Sequence, residues 1–144
     1  MKVLLQRVAE AAVEVAEEEV ARIGRGLLVL VGVEREDNEQ ALVGLAEKTL
    51  GLRIFPDDDK AMNRSVVDVG GEILVVSQFT LAADTSKGKR PGFSSAAPPA
   101  VAEDIYQRFV AELGRTMPVQ TGVFGADMRI LLVNDGPVTF MLER

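Results

Sequence analysis

The chain has 144 residues, of which 47% are hydrophobic and 26% charged, and these values are typical of one compact domain spanning residues 1–144. The formal net charge of -6 has the wrong sign for a protein that coats nucleic acid through a broad basic face. Cysteine and histidine are absent, which excludes disulfides, thiolate nucleophiles and catalytic imidazoles. No apolar run reaches about 18 residues and no signal peptide is recognisable, so we expect a cytoplasmic protein.

The first part of the sequence predicts strands, with one segment that fits two structures. Residues 3–8 are rich in Val and Leu, which indicates a strand. Residues 9–23 fit a helix because Ala and Glu favour one, and they fit a strand because Val and Glu alternate at 13–15. Residues 26–33 form a Leu/Val run that is typical of a strand buried on both faces.

Two later segments carry the spacing of amphipathic helices. The first follows Asp37 or Asn38, either of which can serve as an N-cap. The second begins at Pro98-Pro99 and ends at Gly114. In both, side chains suited to burial recur at intervals of three and four residues. The expected buried positions are Leu42, Leu45, Ala46, Thr49 and Leu50 in the first helix and Ala102, Ile105, Tyr106, Phe109, Val110 and Leu113 in the second.

Short strands and turns are expected between these helices. Residues 52–55 suit a short strand that Pro56 ends. The three aspartates at 57–59 suit a solvated turn, because the glycine and the final glutamate of a calcium loop are absent. A glycine turn at 70–71 precedes an apolar strand at 73–81.

The remaining segments predict one long loop and two strands. Residues 82–97 have no periodicity, and loops of that length in compact domains are often functional. Residues 128–133 and 138–142 suit strands joined by a turn at 134–137.

Two polar segments stand out from this apolar framework. Ser77-Gln78-Phe79-Thr80 lies toward the end of an apolar strand, where each buried polar group must find a partner. A half-exposed strand is the plainer interpretation. Residues 134–139 read Asn-Asp-Gly-Pro-Val-Thr, for which a hairpin turn is the plainer interpretation. The peptide bond before Pro137 can be cis at modest cost.

Together, and in this order, Ser77-Gln78-Phe79-Thr80 and the segment 134–139 resemble the two signatures of the D-aminoacyl-tRNA deacylase family. The resemblance extends over essentially the whole chain without a visible insertion. Further stretches that look like family sequence are Gln6-Arg7-Val8, Gly24–Val29, Gly51–Phe55, Met62-Asn63, Lys89-Arg90-Pro91, Ala97-Pro98-Pro99 and Thr121–Met128.

The resemblance implies an α+β fold with two packed β-sheets and helices on one face, giving β/β/α layers, assembled as a homodimer. It also implies that residues 9–23 form a β-hairpin, against their helix propensity. Glu17-Glu18-Glu19 replaces the family's usual Asp-Gly-like turn at the tip.

The implied reaction is hydrolysis of the ester that joins a D-amino acid to the terminal adenosine of tRNA, with no metal and no cofactor. The catalytic residues carried over are Ser77, Gln78, Phe79 and Thr80. The N–H groups of Phe79 and Thr80 would donate to the oxyanion, and Ser77 and Gln78 would orient the strand end. Thr80 is either a nucleophile, which needs a base that the sequence does not offer, or a residue that shapes the site while the 2′-hydroxyl of the ribose activates water.

The resemblance assigns substrate binding to Gly136, Pro137, Arg7 and Asn134. Carbonyl groups of Gly136-Pro137, inserted from the partner subunit, would bind the α-amino group and occupy the space of an L side chain. Arg7 would hold this segment in place. Glycine has no side chain to reject, so glycyl-tRNA is expected to be a substrate too.

The expected partner is the aminoacylated acceptor end of tRNA. Lys87, Lys89 and Arg90 are candidates for phosphate contacts, and the alternative is a solvated loop. Two other functions stay open: a nucleic-acid-binding module without activity, and a Ser/Thr amidase acting on small D-amino acid derivatives. The first is disfavoured by the acidic composition and by the 5% content of aromatic residues. The second needs a base for Ser77 or Thr80.

Overall fold

A computed structural model describes residues 1–144. Six strands, two α-helices and one short 3-10 helix form the regular structure. In chain order they are β1 (Lys2–Val15), β2 (Glu18–Ile23), β3 (Gly26–Gly32), α1 (Glu39–Gly51), β4 (Glu72–Ser77), the 3-10 helix (Phe79–Ala82), α2 (Pro99–Gly114), β5 (Val119–Thr121) and β6 (Arg129–Glu143). Neither α-helix combines the length and the apolar composition that crossing a membrane requires.

The strands form one hydrogen-bonded network centred on β1. Along one edge, β1 pairs with β6 over nearly its whole length. Along the other edge, residues 2–8 pair with β3, and residues 11–15 pair with β2. The parallel strands β4 and β5 extend the sheet beyond β3. The order is therefore β2-β1-β3-β4-β5, with β6 as an additional partner of β1.

Successive side chains of β3 point to opposite faces of the sheet, and this explains how the network forms two layers of strands. Leu27, Val29 and Val31 point into a core that also contains the buried faces of α1 and α2. Leu28, on the opposite face, packs in a second core with Ile23 of β2. The hairpin of β1 and β2 therefore covers one face of the central strands, and the helices cover the other. The predicted α+β class, with helices on one face, is confirmed.

The two helices occupy the predicted segments. Asn38 is the N-cap of α1, and its side chain accepts a hydrogen bond from the Ala41 N–H at 3.0 Å. Pro99 opens α2, where its missing N–H costs no helical hydrogen bond. All the predicted buried positions are buried except Leu50 and Val110, which are half-buried at the margin of the core.

Residues 9–23 form the β1–β2 hairpin, so the strand interpretation is correct. Ala16 and Glu17 form its tip with φ values of 51° and 67°. This left-handed pair matches the twist of a two-residue hairpin turn, although neither residue is glycine. Tertiary packing decides the conformation here, because Val13 is fully buried against the central strands.

Two expectations about strands are wrong, and one strand was not predicted. Residues 52–55 form no strand, because Phe55 makes only an isolated bridge to Arg64. The strand predicted at 73–81 ends at Ser77, and the chain then turns into the 3-10 helix because β3, its parallel partner, ends at Gly32. Residues 119–121 form β5, which was not predicted, since three residues after a proline carry no periodicity.

The turn predicted at 134–137 is also wrong. Residues 129–134 and 139–143 both run antiparallel to β1, so the chain does not reverse between them. Asn134 pairs with Val8, and Thr139 pairs with Gln6, which leaves four residues of β6 opposite one residue of β1. The segment is therefore a bulge within a continuous strand, which glycine and proline tolerate.

Candidate functional site

A cavity of about 470 Å³ opens where β4 ends. Ser77, Gln78 and Phe79 form one wall, and Phe124 and Met128 lie in the facing segment between β5 and β6. Most of the lining is apolar, and Asp127 is its only ionisable side chain. The cavity therefore offers hydroxyl, amide and main-chain groups, together with one carboxylate.

The hydrogen bonds of residues 77–80 fix the main chain at this wall. The Gln78 N–H donates to the Val31 carbonyl at 2.7 Å, and the Gln78 carbonyl accepts from the Leu81 N–H at 3.1 Å. Phe79 and Thr80 are the first two residues of the 3-10 helix, so their N–H groups have no acceptor within it. The sharp turn after β4 thus leaves two adjacent main-chain donors beside the cavity.

The Thr80 hydroxyl has one side-chain partner. The Gln78 amide donates to Thr80 Oγ1 at 2.5 Å, and no carboxylate or amine contacts this oxygen. Thr80 is exposed and does not line the cavity. Its chain neighbour Phe79 does line it.

The predicted phosphate-binding residues lie in the loop that follows the 3-10 helix. Lys87, Lys89 and Arg90 are exposed, and no carboxylate of this chain pairs with any of them. The loop turns back on itself through reciprocal hydrogen bonds between the main chains of Asp84 and Gly92. Phe93 then packs against the half-exposed ring of Phe79, with 5.1 Å between the ring centroids.

The second predicted group lies at the bulge of β6. The Gly136-Pro137 peptide bond is cis. Asn134 closes the segment, because its Oδ1 accepts from the Val138 N–H at 2.7 Å and its amide donates to Thr139 Oγ1 at 3.1 Å.

Arg7 faces this bulge from β1. It is 9% exposed, and its Nε donates to the Asp135 carbonyl at 2.8 Å. Its Nη1 donates to the Ile54 carbonyl at 2.6 Å. The guanidinium therefore joins the bulge to the chain that follows α1.

Within one chain the two groups do not share the cavity. Ser77, Gln78 and Phe79 line it, whereas Arg7 and residues 134–137 do not. The structure thus brings together the members of each signature but leaves the two signatures apart.

Residues 124–128 are cavity residues to which sequence reasoning gave no role. The Phe124 ring lies 5.7 Å from the ring of Tyr106, which anchors it from α2. Tyr106 donates to the Val75 carbonyl at 3.0 Å, and burial raises the pKa of its hydroxyl to about 12. The only sequence signal for this wall was the family-like stretch 121–128.

Comparisons with known proteins agree with these signatures. The family model described as D-Tyr-tRNA(Tyr) deacylase matches residues 4–143. Proteins named D-aminoacyl-tRNA deacylase from Teredinibacter turnerae and Pseudomonas aeruginosa are each 58% identical over 144 residues, and one from Haemophilus influenzae is 54% identical over 143 residues. Each alignment covers 99% of both chains.

Two solved structures share the architecture. The c-Myc DNA Unwinding Element Binding Protein superposes with a TM-score of 0.95 at 42% identity, covering 100% of this chain and 99% of that one. A probable eukaryotic D-amino acid tRNA deacylase has a TM-score of 0.86 at 21% identity, covering 99% and 98%, and it supports the fold alone.

The fold, the cavity and these relatives define an enzyme of the hydrolase class that acts on ester bonds. The chain belongs to the D-Tyr-tRNA(Tyr) deacylase family, and the resemblance carried by its two signatures is confirmed.

Proposed function

We propose that this chain hydrolyses the ester bond of D-aminoacyl-tRNA, releasing a free D-amino acid and tRNA, and so removes mirror-image amino acids before translation uses them. The observation that carries the proposal is the cavity at the end of β4, one wall of which is formed by Ser77, Gln78 and Phe79 of the first signature, in a chain 58% identical to a named deacylase. We place the reaction in the cytoplasm, where aminoacyl-tRNA is used.

Main-chain donors would stabilise the transition state. Attack on the ester carbonyl places negative charge on its oxygen, and the N–H groups of Phe79 and Thr80 are adjacent donors without helical acceptors. A preorganised donor of this kind contributes on the order of 10²–10³ in rate. Ser77 and Gln78 would hold the strand end that presents them.

Water is the nucleophile in this scheme, with the 2′-hydroxyl of the terminal ribose assisting its deprotonation. Water adds to the carbonyl carbon, the carbon–oxygen bond to the ribose breaks, and the ribose oxygen leaves as a hydroxyl after taking up a proton. The environment of Thr80 supports this choice, because its oxygen contacts only the Gln78 amide and has no base beside it.

The carbonyl groups of Gly136-Pro137 would read the configuration of the amino acid. They would accept hydrogen bonds from the α-amino group and occupy the volume of an L side chain, so one surface would reject every L residue. Glycyl-tRNA, including tRNA(Ala) mischarged with glycine, would also be hydrolysed, because glycine has no side chain for these carbonyls to exclude.

A second copy of the chain would supply that surface. The bulge does not line its own cavity, and β6 has no strand partner on its outer edge. Apolar side chains stand exposed along this edge, which marks it as an association surface. They are Leu131, Leu132, Val133, Phe140 and Met141, each 36–50% exposed. We expect a homodimer in sedimentation, and a Val133→Lys variant that is monomeric and inactive.

One assay tests the activity. Matched D- and L-tyrosyl-tRNA are incubated with the protein, and release of tyrosine is measured. We expect rapid release from the D-ester and much slower release from the L-ester. Equal release from both would remove the chiral role, and release from neither would remove the enzymatic one.

The same assay decides the rival functions. The solved relative named for binding a DNA unwinding element favours a nucleic-acid-binding module as the second candidate. That function requires salt-sensitive binding without turnover. An amidase would instead cleave small D-amino acid esters or amides in the absence of tRNA.

A further inference from the structure

Residues 53–63 form a loop, called here the 53–63 loop, that contains the three aspartates and the Met-Asn pair left unused by the proposed mechanism. The chain reverses so that Phe55 faces Arg64. The Phe55 N–H donates to the Arg64 carbonyl at 2.9 Å, and the Arg64 N–H donates back to the Phe55 carbonyl at 2.9 Å. The Phe55 ring is fully buried, so this end of the loop is fixed to the core.

The side chain of Asn63 ties both arms of the loop together. The Arg53 guanidinium donates to the Asn63 carbonyl at 2.6 Å and also to Asn63 Oδ1. On the other side, the Asn63 amide donates to the Asp57 carboxylate. One residue therefore fixes the chain both before Ile54 and after Pro56.

The Asp57 carboxylate also accepts hydrogen bonds from the main chain of the loop. Its Oδ1 accepts from the Asp59 N–H at 2.9 Å and from the Lys60 N–H at 2.7 Å. The hydrogen bond from the Asn63 side chain and these two from the backbone hold the pKa of the Asp57 carboxyl below its ordinary value of 3.8. Asp57 is therefore an acceptor-only group at neutral pH, and the loop closes around it.

The Ile54 carbonyl, which lies between Arg53 and Asp57 in the chain, is the group that binds Arg7. Ile54 O accepts from Arg7 Nη1 at 2.6 Å, and Arg7 Nε donates to the Asp135 carbonyl at 2.8 Å, next to Gly136. The contacts of Asn63 with Arg53 and Asp57 therefore lie on either side of Ile54, whose carbonyl Arg7 links to the bulge of β6.

We propose that Asn63 and Asp57 are positioning residues for the Gly136-Pro137 surface, because they fix the Ile54 carbonyl that aligns Arg7. The inference rests on the proposed role of that surface in rejecting L-amino acids. A steric filter rejects only while its atoms hold their places, so a mobile acceptor for Arg7 weakens rejection before it weakens hydrolysis. Neither residue lines the cavity.

The test compares Asp57→Ala with Asp58→Ala in the full-length protein. Both substitutions remove one carboxylate from adjacent positions of the same loop, but the Asp58 side chain accepts no hydrogen bond within the chain. For each variant, kcat/KM is measured on matched D- and L-tyrosyl-tRNA, and urea unfolding establishes that the fold is intact. Asn63→Ala is the second variant, since it breaks the same connection from the other side.

We expect Asp57→Ala and Asn63→Ala to lower the ratio of D to L turnover about tenfold, chiefly through faster hydrolysis of the L-ester. Asp58→Ala should leave that ratio within about twofold of the parent, as exposed substitutions do. A purely structural role would lower turnover of both esters equally, and that outcome, or an unchanged ratio in both variants, overturns the proposal.

A Gly136→Ala variant separates this inference from the proposed function. If Gly136→Ala changes the ratio while the two loop variants do not, only the positioning role fails. If Gly136→Ala leaves the ratio unchanged, both the proposed role of the Gly136-Pro137 surface and the positioning role fail.

Discussion

Gly136 occupies a position that admits no side chain. Its φ of +154° lies in a region that L-residues rarely adopt. A Cβ there would lie 2.5 Å from Val138 Cγ2 and 2.7 Å from the Val138 nitrogen, so the carbonyls beside it would have to move. The geometry of this segment therefore depends on one residue having no Cβ.

We expect Gly136→Ala to reduce discrimination between D- and L-tyrosyl-tRNA by about 10–100-fold, because the displaced carbonyls would no longer occupy the volume that we propose they deny to an L side chain. Parallel deacylation assays measure the ratio. Gly51→Ala is the matched control, since a Cβ at Gly51 meets nothing within 4 Å. Loss of discrimination in the control as well would trace the effect to general destabilisation.

Thr80 tests the choice of nucleophile. We expect Thr80→Val to retain turnover within about tenfold of the parent, because valine keeps the main-chain N–H and removes only the hydroxyl. Single-turnover deacylation of D-tyrosyl-tRNA measures the effect, and filter binding monitors the tRNA. If Thr80→Val and Thr80→Ala both abolish turnover while tRNA still binds, Thr80 is the nucleophile or a direct acid–base group.

At the scale of elements, the proposed contacts of the loop at 82–97 with tRNA would contribute to substrate binding and not to the chemical step. Its three cations are unpaired, and the segment adds no ionisable group to the cavity. A protein cation that contacts an RNA phosphate releases counterions, which gives a salt dependence whose slope is about 0.7 for each contact with a single strand. The loop is therefore expected to govern KM.

We expect the triple variant Lys87→Gln, Lys89→Gln, Arg90→Gln to raise KM for D-aminoacyl-tRNA and to reduce the salt slope of log(kcat/KM) by about 2, with kcat unchanged. Lys48→Gln, in the last turn of α1, removes a distant positive charge as the control. An unchanged KM and slope in the triple variant would assign these residues to a solvated loop.

The elements differ in how far the sequence alone predicts them. Both helices follow from periodicity and caps, since Asn38 and Pro99 act locally. The hairpin does not, because Ala and Glu between residues 9 and 19 favour a helix and only packing on the central strands selects the strand.

The site divides in the same way. Residues 77–80 and 134–137 are predicted as site residues from their signatures, and Arg7 from the resemblance to the family. Apart from Asp127, the Phe124–Met128 wall carries apolar and small residues that any core uses, so composition offers no sign of a cavity there. The bulge reads as a turn because Gly136-Pro137 is locally indistinguishable from one, and only pairing with β1 on both sides shows otherwise.

At the scale of the whole molecule, one side chain reports on the integrity of the core. Tyr106 is the only tyrosine and there is no tryptophan, so tyrosinate absorbance follows a single buried group. Burial raises its pKa from the ordinary 10 to about 12 in the folded state. A folded pKa above the unfolded one stabilises the protein below pH 10 and ceases to do so as the pH rises to about 12.

We therefore expect the free energy of unfolding to fall between pH 10 and about pH 12, and the absorbance of tyrosinate to appear together with the loss of secondary structure. Spectrophotometric titration in buffer and in denaturant measures both midpoints, with Tyr106→Phe as the control for stability. A native midpoint near 10 would contradict a buried hydroxyl bonded to Val75.

The pairing of β1 with β6 also sets the order in which the molecule can be assembled. Gln6 donates to Thr139 across a separation of 133 residues, and β1 pairs on its other edge with β2 and β3. Contacts so distant in sequence slow folding, because the entropy of closing the intervening chain opposes them until late. On the ribosome, β1 is synthesised before β6 and must wait for it, so a nascent chain stalled before β6 would lack the segment that we propose distinguishes the two hands of the substrate.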